Sequence, residues 1–203
     1  MVLDWSGCRN ARDLGDLPTV DGYKIRAGAL LRSDSHERLT AAMIQAVRSG
    51  TVSRVVDLRW AWECEANPSP FAGDGIYRHA PMLNDVLTYV PPPDTYAPML
   101  DHNRPRIGRA FRAVAEAPPG GMVVHCQAGR DRTGVLVALL LAVAGVAAQD
   151  IAADYALTDA CSPQTMLHTL AHLDQRYGGV TAYLVEAGVE PGLAAAVRSR
   201  LLE

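Results

Sequence analysis

The chain has 203 residues, 49% of them hydrophobic, with 19 basic against 22 acidic side chains and a net charge of −3. A length of this order suits one globular domain spanning 1–203, able to bury roughly 70% of the surface its unfolded form exposes without a disulfide or metal staple. The near balance of charge excludes the strongly basic profile of a nucleic-acid binder and offers no attraction to an anionic membrane.

In chain order, Met1-Val2-Leu3-Asp4-Trp5 puts an acid where a secretory signal needs basic residues and then an apolar stretch. Ala29-Leu30-Leu31 reads as a short strand that ends at Arg32-Ser33-Asp34. Thr40 is placed to cap a helix over 41–49 that stops at Gly50. Val52 to Leu58 reads as a buried strand, and Ile76 to Ala80 as another. The segment 84–105 holds Pro91-Pro92-Pro93, Pro98 and Pro105, which exclude a regular central strand. A connection that long is expected to be a flap over a site, with Tyr89, Tyr96, Arg104 and Arg106 available to substrate, or a surface excursion. Ile107 to Ala117 reads as a helix closed by Pro118-Pro119-Gly120-Gly121, and Met122 to His125 as the central strand. Thr133 opens a helix over the longest apolar run, 134–148, which is shorter than the roughly 20 residues of a membrane span. From Gln149 onward the pattern is of helices broken near Ser162-Pro163, Gly178-Gly179 and Pro191-Gly192. Short apolar runs alternating with helical patterns predict an α/β domain whose central, mostly parallel sheet is flanked by helices.

Four scattered cysteines, Cys8, Cys64, Cys126 and Cys161, form no CxxC pair, and no histidine stands at zinc-like spacing from them. A reduced, cytoplasmic protein with no metal and no cofactor is expected. The chemistry concentrates in one stretch, His125-Cys126-Gln127-Ala128-Gly129-Arg130-Asp131-Arg132-Thr133-Gly134, set between an apolar strand and an apolar helix. A loop so placed points successive main-chain N–H groups at one spot, and the helix start adds positive potential there. Gly129 permits the tight turn such an anion cradle needs. In it Cys126, beside the helix end and the guanidinium groups of Arg130 and Arg132, is favoured as the thiolate nucleophile. Arg132, six positions on, can return its planar fork over the cradle and hold two phosphoryl oxygens. Gln127, Ala128, Gly129, Arg130 and Asp131 complete the phosphate-binding loop. Thr133 is placed to donate to the departing thiolate, and His125 to fix the backbone at Cys126.

The pattern HC-x5-R-T with its inner glycine resembles the active-site motif of the protein tyrosine phosphatase superfamily, and most of all that of the atypical bacterial tyrosine phosphatases. Asn10-Ala11-Arg12-Asp13-Leu14-Gly15, Arg32-Ser33-Asp34 and Val56-Asp57-Leu58-Arg59 are similar in type and order to that family's N-terminal half. The resemblance implies a tyrosine-phosphatase-like fold. It also implies hydrolysis of phosphotyrosine in proteins through a phosphocysteine intermediate, with phosphoserine, phosphothreonine or phosphoinositide as alternative substrates. Many members carry lysine where this chain has Arg130. Asp131 matches the family position usually given the general acid, and no Trp-Pro-Asp loop is present to compete with it. Asp85, after a predicted strand, is the alternative acid. Arg12, Asp13, Asp34, Asp57 and Arg59 are expected to form a hydrogen-bond network at strand and turn ends. Two other functions are weighed against the phosphatase: a non-catalytic phosphate-binding module, and a sulfurtransferase of the rhodanese type, whose loop usually differs in length.

Overall fold

Gly121–His125 (β5) is apolar up to its final histidine because it lies in the middle of a sheet and all five of its residues are buried. The computed structural model describes residues 7–84 and 94–202. The other strands are Arg12–Asp13 (β1), Leu30–Ser33 (β2), Val52–Asp57 (β3) and Tyr77–His79 (β4), in the spatial order β1-β2-β5-β3-β4. Only β1 runs antiparallel to its neighbour; β2, β5, β3 and β4 are parallel. The expected central, mostly parallel sheet flanked by helices is what the chain forms.

Period-two alternation sorts these strands into two cores. Leu30, Met122, Val124 and Val56 face the larger one. Leu31, Val123 and Val55 face a smaller one with Val47 and Phe71. On the small side lies Ala41–Ser49 (α1), capped at Thr40, whose hydroxyl accepts from Met43 N–H, and ended at Gly50 as expected. On the large side, Asp131–Ala144 (α5) has every residue from Arg132 to Leu141 buried. A helix apolar on all sides must be covered on all sides. Arg104–Ala115 (α4), Ala148–Ala156 (α6), Val180–Glu186 (α8) and Pro191–Leu201 (α9) pack around it, and Pro163–Tyr177 (α7) lies outside α6.

Two short helices lie where the sequence suggested none, Ala61–Ala66 (α2) and Ala97–His102 (α3). Within 84–105, Met99 and Leu100 are fully buried and Tyr96 nearly so. The stretch from Tyr96 onward is therefore core, not flap. Pro98 and Pro105 sit in the first turns of α3 and α4, where the missing N–H has no partner to lose. Tyr89, Asp85 and the rest of 85–93 lie outside the described residues. Among the described residues no helix is long and apolar enough to cross a membrane.

Parallel pairing aligns the carboxyl ends of the strands. Ser33, His125, Asp57 and His79 stand in one row across the sheet. In open α/β sheets the crevice beyond that edge is where ligands bind, and Cys126 is the next residue along β5.

Candidate active site

The chain turns from β5 into α5 through Cys126–Arg130, and the tightest point is Gly129, at φ +66°. A Cβ there would lie 2.5 Å from the Ser33 carbonyl oxygen, so both the backbone angle and the close approach to β2 require glycine. Other residues hold the loop by its carbonyls. Ser35 N–H donates to Gln127 O, Asn10 Nδ2 to Gly129 O at 2.9 Å and Arg32 to the same oxygen at 2.8 Å. Asp154 in turn pairs with Arg32 at 2.8 Å and with Arg12 at 2.7 Å, and Arg12 reaches Asn10. The expected network is thus partly a brace for this loop. Asp34 joins it at one side, accepting from Arg9 N–H and pairing with Arg38.

With the carbonyls engaged, the amides are left over. Among the described residues none of the N–H groups from Gln127 to Thr133 donates to a protein acceptor. The first amides of a helix have no partner in the helix itself, and α5 has no side-chain cap. The loop therefore offers a run of free donors at a positive helix end, which suits an anion.

Cys126 is only 2% exposed, at the base of this loop. Arg132 is buried above α2. Its Nη1 and Nη2 donate to the two carboxylate oxygens of Glu63 at 2.5 and 2.9 Å, and its guanidinium lies over the Trp60 ring, 4.4 Å from the centroid. Burial works against its charge, but Glu63 and the facing Cys126 outweigh burial and raise its pKa. Glu63 occupies the end of the guanidinium fork, so the Nε edge is left for a ligand. Glu63 also accepts Trp60 N–H at 2.7 Å. Sequence reasoning missed it; an acid in the first turn after a strand was the only signal.

A second guanidinium, that of Arg32, stands on the sheet face that carries Cys126, since Arg32 is in register with Val124 two residues before it. Burial and neighbouring Arg12 lower the Arg32 pKa, while Asp154 and Cys126 act the other way. Arg130 turns instead to Asp131, with Nε 3.2 Å from Oδ1. Asp131 opens α5, and its Oδ1 also accepts from the Tyr96 hydroxyl. The Tyr155 hydroxyl lies 2.7 Å from that of Tyr96. Tyr96 has one proton and gives it to a carboxylate, so Tyr155 is the donor of the second bond. Burial first, then the Asp131 carboxylate, push the Tyr96 pKa up. Among the described residues, Oδ2 of Asp131 meets only Arg130, at 3.3 Å.

Behind Cys126, His125 is fully buried and packs against His36 with 4.0 Å between ring centroids and the planes tilted by 32°. Its Nε2 lies 3.5 Å from Asp57, which Arg59 clamps through both oxygens and Tyr77 bonds at 3.0 Å. Burial lowers the His125 pKa and Asp57 only partly offsets this, so the imidazole is neutral. Thr133 is fully buried, and its hydroxyl has no protein partner among the described residues. Arg104 and Arg106 pair away from the loop, with Glu186 and Asn84.

A cleft of about 530 Å³ meets the loop at Gln127, Ala128 and Arg130, and Arg9, Arg38 and the exposed Leu157 form part of its opposite wall. Gln127 donates to Glu37 at its rim.

Residues 3–163 match the tyrosine phosphatase family. A putative tyrosine-protein phosphatase of Cupriavidus necator is 32% identical over 164 residues, which are 72% of this chain and 59% of that protein. A tyrosine-protein phosphatase of Nostoc commune is 30% identical over 152 residues, 70% of this chain and 52% of that one. The triple specificity protein phosphatase PtpB of Mycobacterium tuberculosis is 26% identical over 215 aligned residues, 87% of this chain and 76% of that one. The chain thus spans little more than half the length of the first two relatives. The match runs through the loop from His125 to Gly134 and the strands on either side of it, and the chain belongs to the tyrosine phosphatase family.

Proposed function

We propose that the chain is a phosphatase that hydrolyses phosphomonoesters through a Cys126 phosphocysteine intermediate, most readily phosphotyrosine in proteins. The observation that carries this is the pairing of a cysteine with seven uncommitted loop amides and an arginine fixed by Glu63. In the first step the Cys126 thiolate attacks phosphorus in line and the P–O bond of the ester breaks. Asp131 gives its proton, from Oδ2, to the leaving oxygen. The loop amides of Gln127, Ala128, Gly129, Arg130, Asp131 and Arg132, with the Nε edge of Arg132, stabilise the charge on the equatorial oxygens. In the second step a water attacks phosphorus while Asp131 takes its proton. The P–S bond breaks, and the Thr133 hydroxyl donates to the thiolate that leaves. His125, neutral and wedged between His36 and Asp57, holds the backbone at Cys126. The positive charge that the transferring phosphoryl group needs comes from the chain's own amides and guanidinium, so the reading invokes no metal.

Phosphotyrosine is favoured by the aromatic wall beside Arg132. Trp60 and Trp62 stack with centroids 5.7 Å apart, and Trp62 is 44% exposed. Stacking on a flat face rewards an aryl ester over an alkyl one. The polar cleft beside the loop, with Arg9, Arg38 and Arg130 set among Asp34, Glu37 and Asp159, supports a second reading, a substrate carrying further polar and charged groups such as a phosphoinositide. The relative PtpB, described as of triple specificity, is compatible with either.

Cys126→Ser is expected to abolish hydrolysis of p-nitrophenyl phosphate while leaving the fold and phosphate binding intact. Turnover near that of the unaltered protein would end the assignment. A panel of phosphotyrosine peptides, phosphoserine peptides and phosphoinositides then separates the two substrate readings, and thiosulfate turnover tests the sulfurtransferase alternative.

A further inference from the structure

Arg54 stands in the interior of β3, among Val52, Ser53, Val55 and Val56. It is 5% exposed and has no carboxylate partner among the described residues. Among the described residues, one hydrogen bond, from Nη2 to the main-chain oxygen of Glu116 at 3.3 Å, is its only protein contact of that kind; Nε and Nη1 are buried without an acceptor there. A buried cation left uncompensated destabilises a fold unless an anion satisfies it.

Arg54 lies on the wall of a cleft of about 330 Å³ together with Arg78, His79, Arg109, Arg112 and Glu116. Four guanidinium groups and one carboxylate meet there. Arg78 spends its bonds on the main chain of Gly75 and Tyr77, and Arg112 on that of Gly188, so neither is neutralised by an acid. Burial, and after it the charge of Arg78, push the Arg54 pKa down. Glu116 acts the other way but does not offset the burial and the crowded cations. The cleft shares no lining residue with the one at the Cys126 loop. Arg54 pairs in register with Met122, four residues before Cys126 on β5, roughly 13 Å along the strand.

We propose that this cleft is a second anion site, with Arg54 as its buried floor and Arg78, Arg109 and Arg112 as its rim, for a small, multiply charged oxyanion of the phosphate or phosphate-ester class. Planar guanidinium forks match phosphate oxygens bidentately, and four of them against one acid select a ligand bearing more than one charge. The volume admits a phosphate ester of a few carbons but not a folded partner. The site stands on this cluster alone and holds whether or not Cys126 turns over.

The test is calorimetric titration of the full chain at constant ionic strength, with inorganic pyrophosphate, orthophosphate and glycerol 2-phosphate in separate arms. Two saturable sites are expected, one at the Cys126 loop and one here. Arg78→Gln combined with Arg109→Gln, both at exposed positions, is expected to weaken the second site about tenfold or more. The KM for p-nitrophenyl phosphate should not move. Arg54→Met, of similar length and uncharged, should abolish the second site; if that variant does not fold, the exposed pair carries the test. Binding of orthophosphate there points to free phosphate as the ligand, and binding of the ester alone points to an organic phosphate. Binding that the exposed pair leaves unchanged, whether at one site or at two, overturns the proposal; a single site that the exposed pair weakens upholds it and counts instead against the Cys126 loop.

Discussion

Glu63 holds both terminal nitrogens of Arg132, at 2.5 and 2.9 Å, across 69 residues of sequence. The pair is nearly buried, with side-chain exposures of 6% and 9%. The carboxylate therefore fixes which edge of the guanidinium is left free, the edge that the proposed mechanism turns toward a phosphoryl group. Glu63→Gln preserves shape and one acceptor but removes the charge. It is expected to lower kcat/KM for p-nitrophenyl phosphate by about tenfold to a hundredfold, because a misplaced guanidinium costs that much in a phosphoryl transfer. Glu63→Ala leaves a buried cation without a partner and should also destabilise the fold by about 3–5 kcal/mol. Stopped assays and thermal melts on the two variants separate the effects. Unchanged kinetics in Glu63→Gln would mean that Arg132 finds its position without help.

The hydroxyl chain from Tyr155 through Tyr96 to Asp131 makes a second, independent demand on geometry. Tyr96→Phe keeps the buried ring and deletes the donor to Oδ1 of Asp131. Stability should fall by only about 1 kcal/mol, the net worth of one hydrogen bond. Activity should fall more on alkyl phosphates than on p-nitrophenyl phosphate, since a poor leaving group depends on a well-placed acid. A uniform loss on both substrates would show that Tyr96 acts on the fold and not on Asp131.

These two contacts mark where sequence reasoning stopped. The loop from His125 to Gly134 was legible because its chemistry is local: a strand, a glycine that must turn, an arginine six positions on. Thr40 and Gly50 were legible for the same reason, since a cap is a contact between near neighbours. Glu63 and Tyr96 owe their roles to two short helices that carry little periodicity of their own. The prolines of 84–105 exclude a central strand but say nothing of the two helix starts that two of them occupy, where proline is at home. Arg32 was visible only as a strand end; its place on the sheet face that carries Cys126 follows from the parallel register of β2 with β5. Local chemistry survives in one dimension, and charge pairing across the sheet edge does not.

The choice between Asp131 and Asp85 as general acid is open to direct measurement. Asp131→Asn should slow phosphotyrosine peptides by about a hundredfold or more, within the range a positioned acid supplies, and p-nitrophenyl phosphate much less. Nitrophenolate leaves well without a proton, so its rate reports the nucleophile alone. Asp85→Asn should change neither. Equal losses on both esters in Asp131→Asn, or a leaving-group effect in Asp85→Asn, would move the acid away from the first turn of α5.

The packed pair His36 and His125 gives the fold a pH dependence of known sign. Burial lowers both pKa values below the ordinary histidine value of about 6.5, for His36 the more strongly, where His125 adds to the effect and Asp57 opposes it. Unfolding releases each imidazole to bind a proton that the folded state refuses. Stability is therefore fully present above about pH 6.5 and is lost as pH falls below it, by about 1.4 kcal/mol per pH unit for each ring that stays neutral. Asp57 adds to the same trend at lower pH. Burial opposes its ionisation, but the Arg59 clamp prevails and holds its pKa below the usual carboxylate range, so its share disappears only in strong acid. Denaturant melts from pH 8 to 5 should show a plateau down to about pH 7 and then a decline. His36→Gln should make that decline about half as steep once its own loss of stability is subtracted. A midpoint that stays level to pH 5, or an equal slope in the variant, would show that these imidazoles take up protons inside the folded protein.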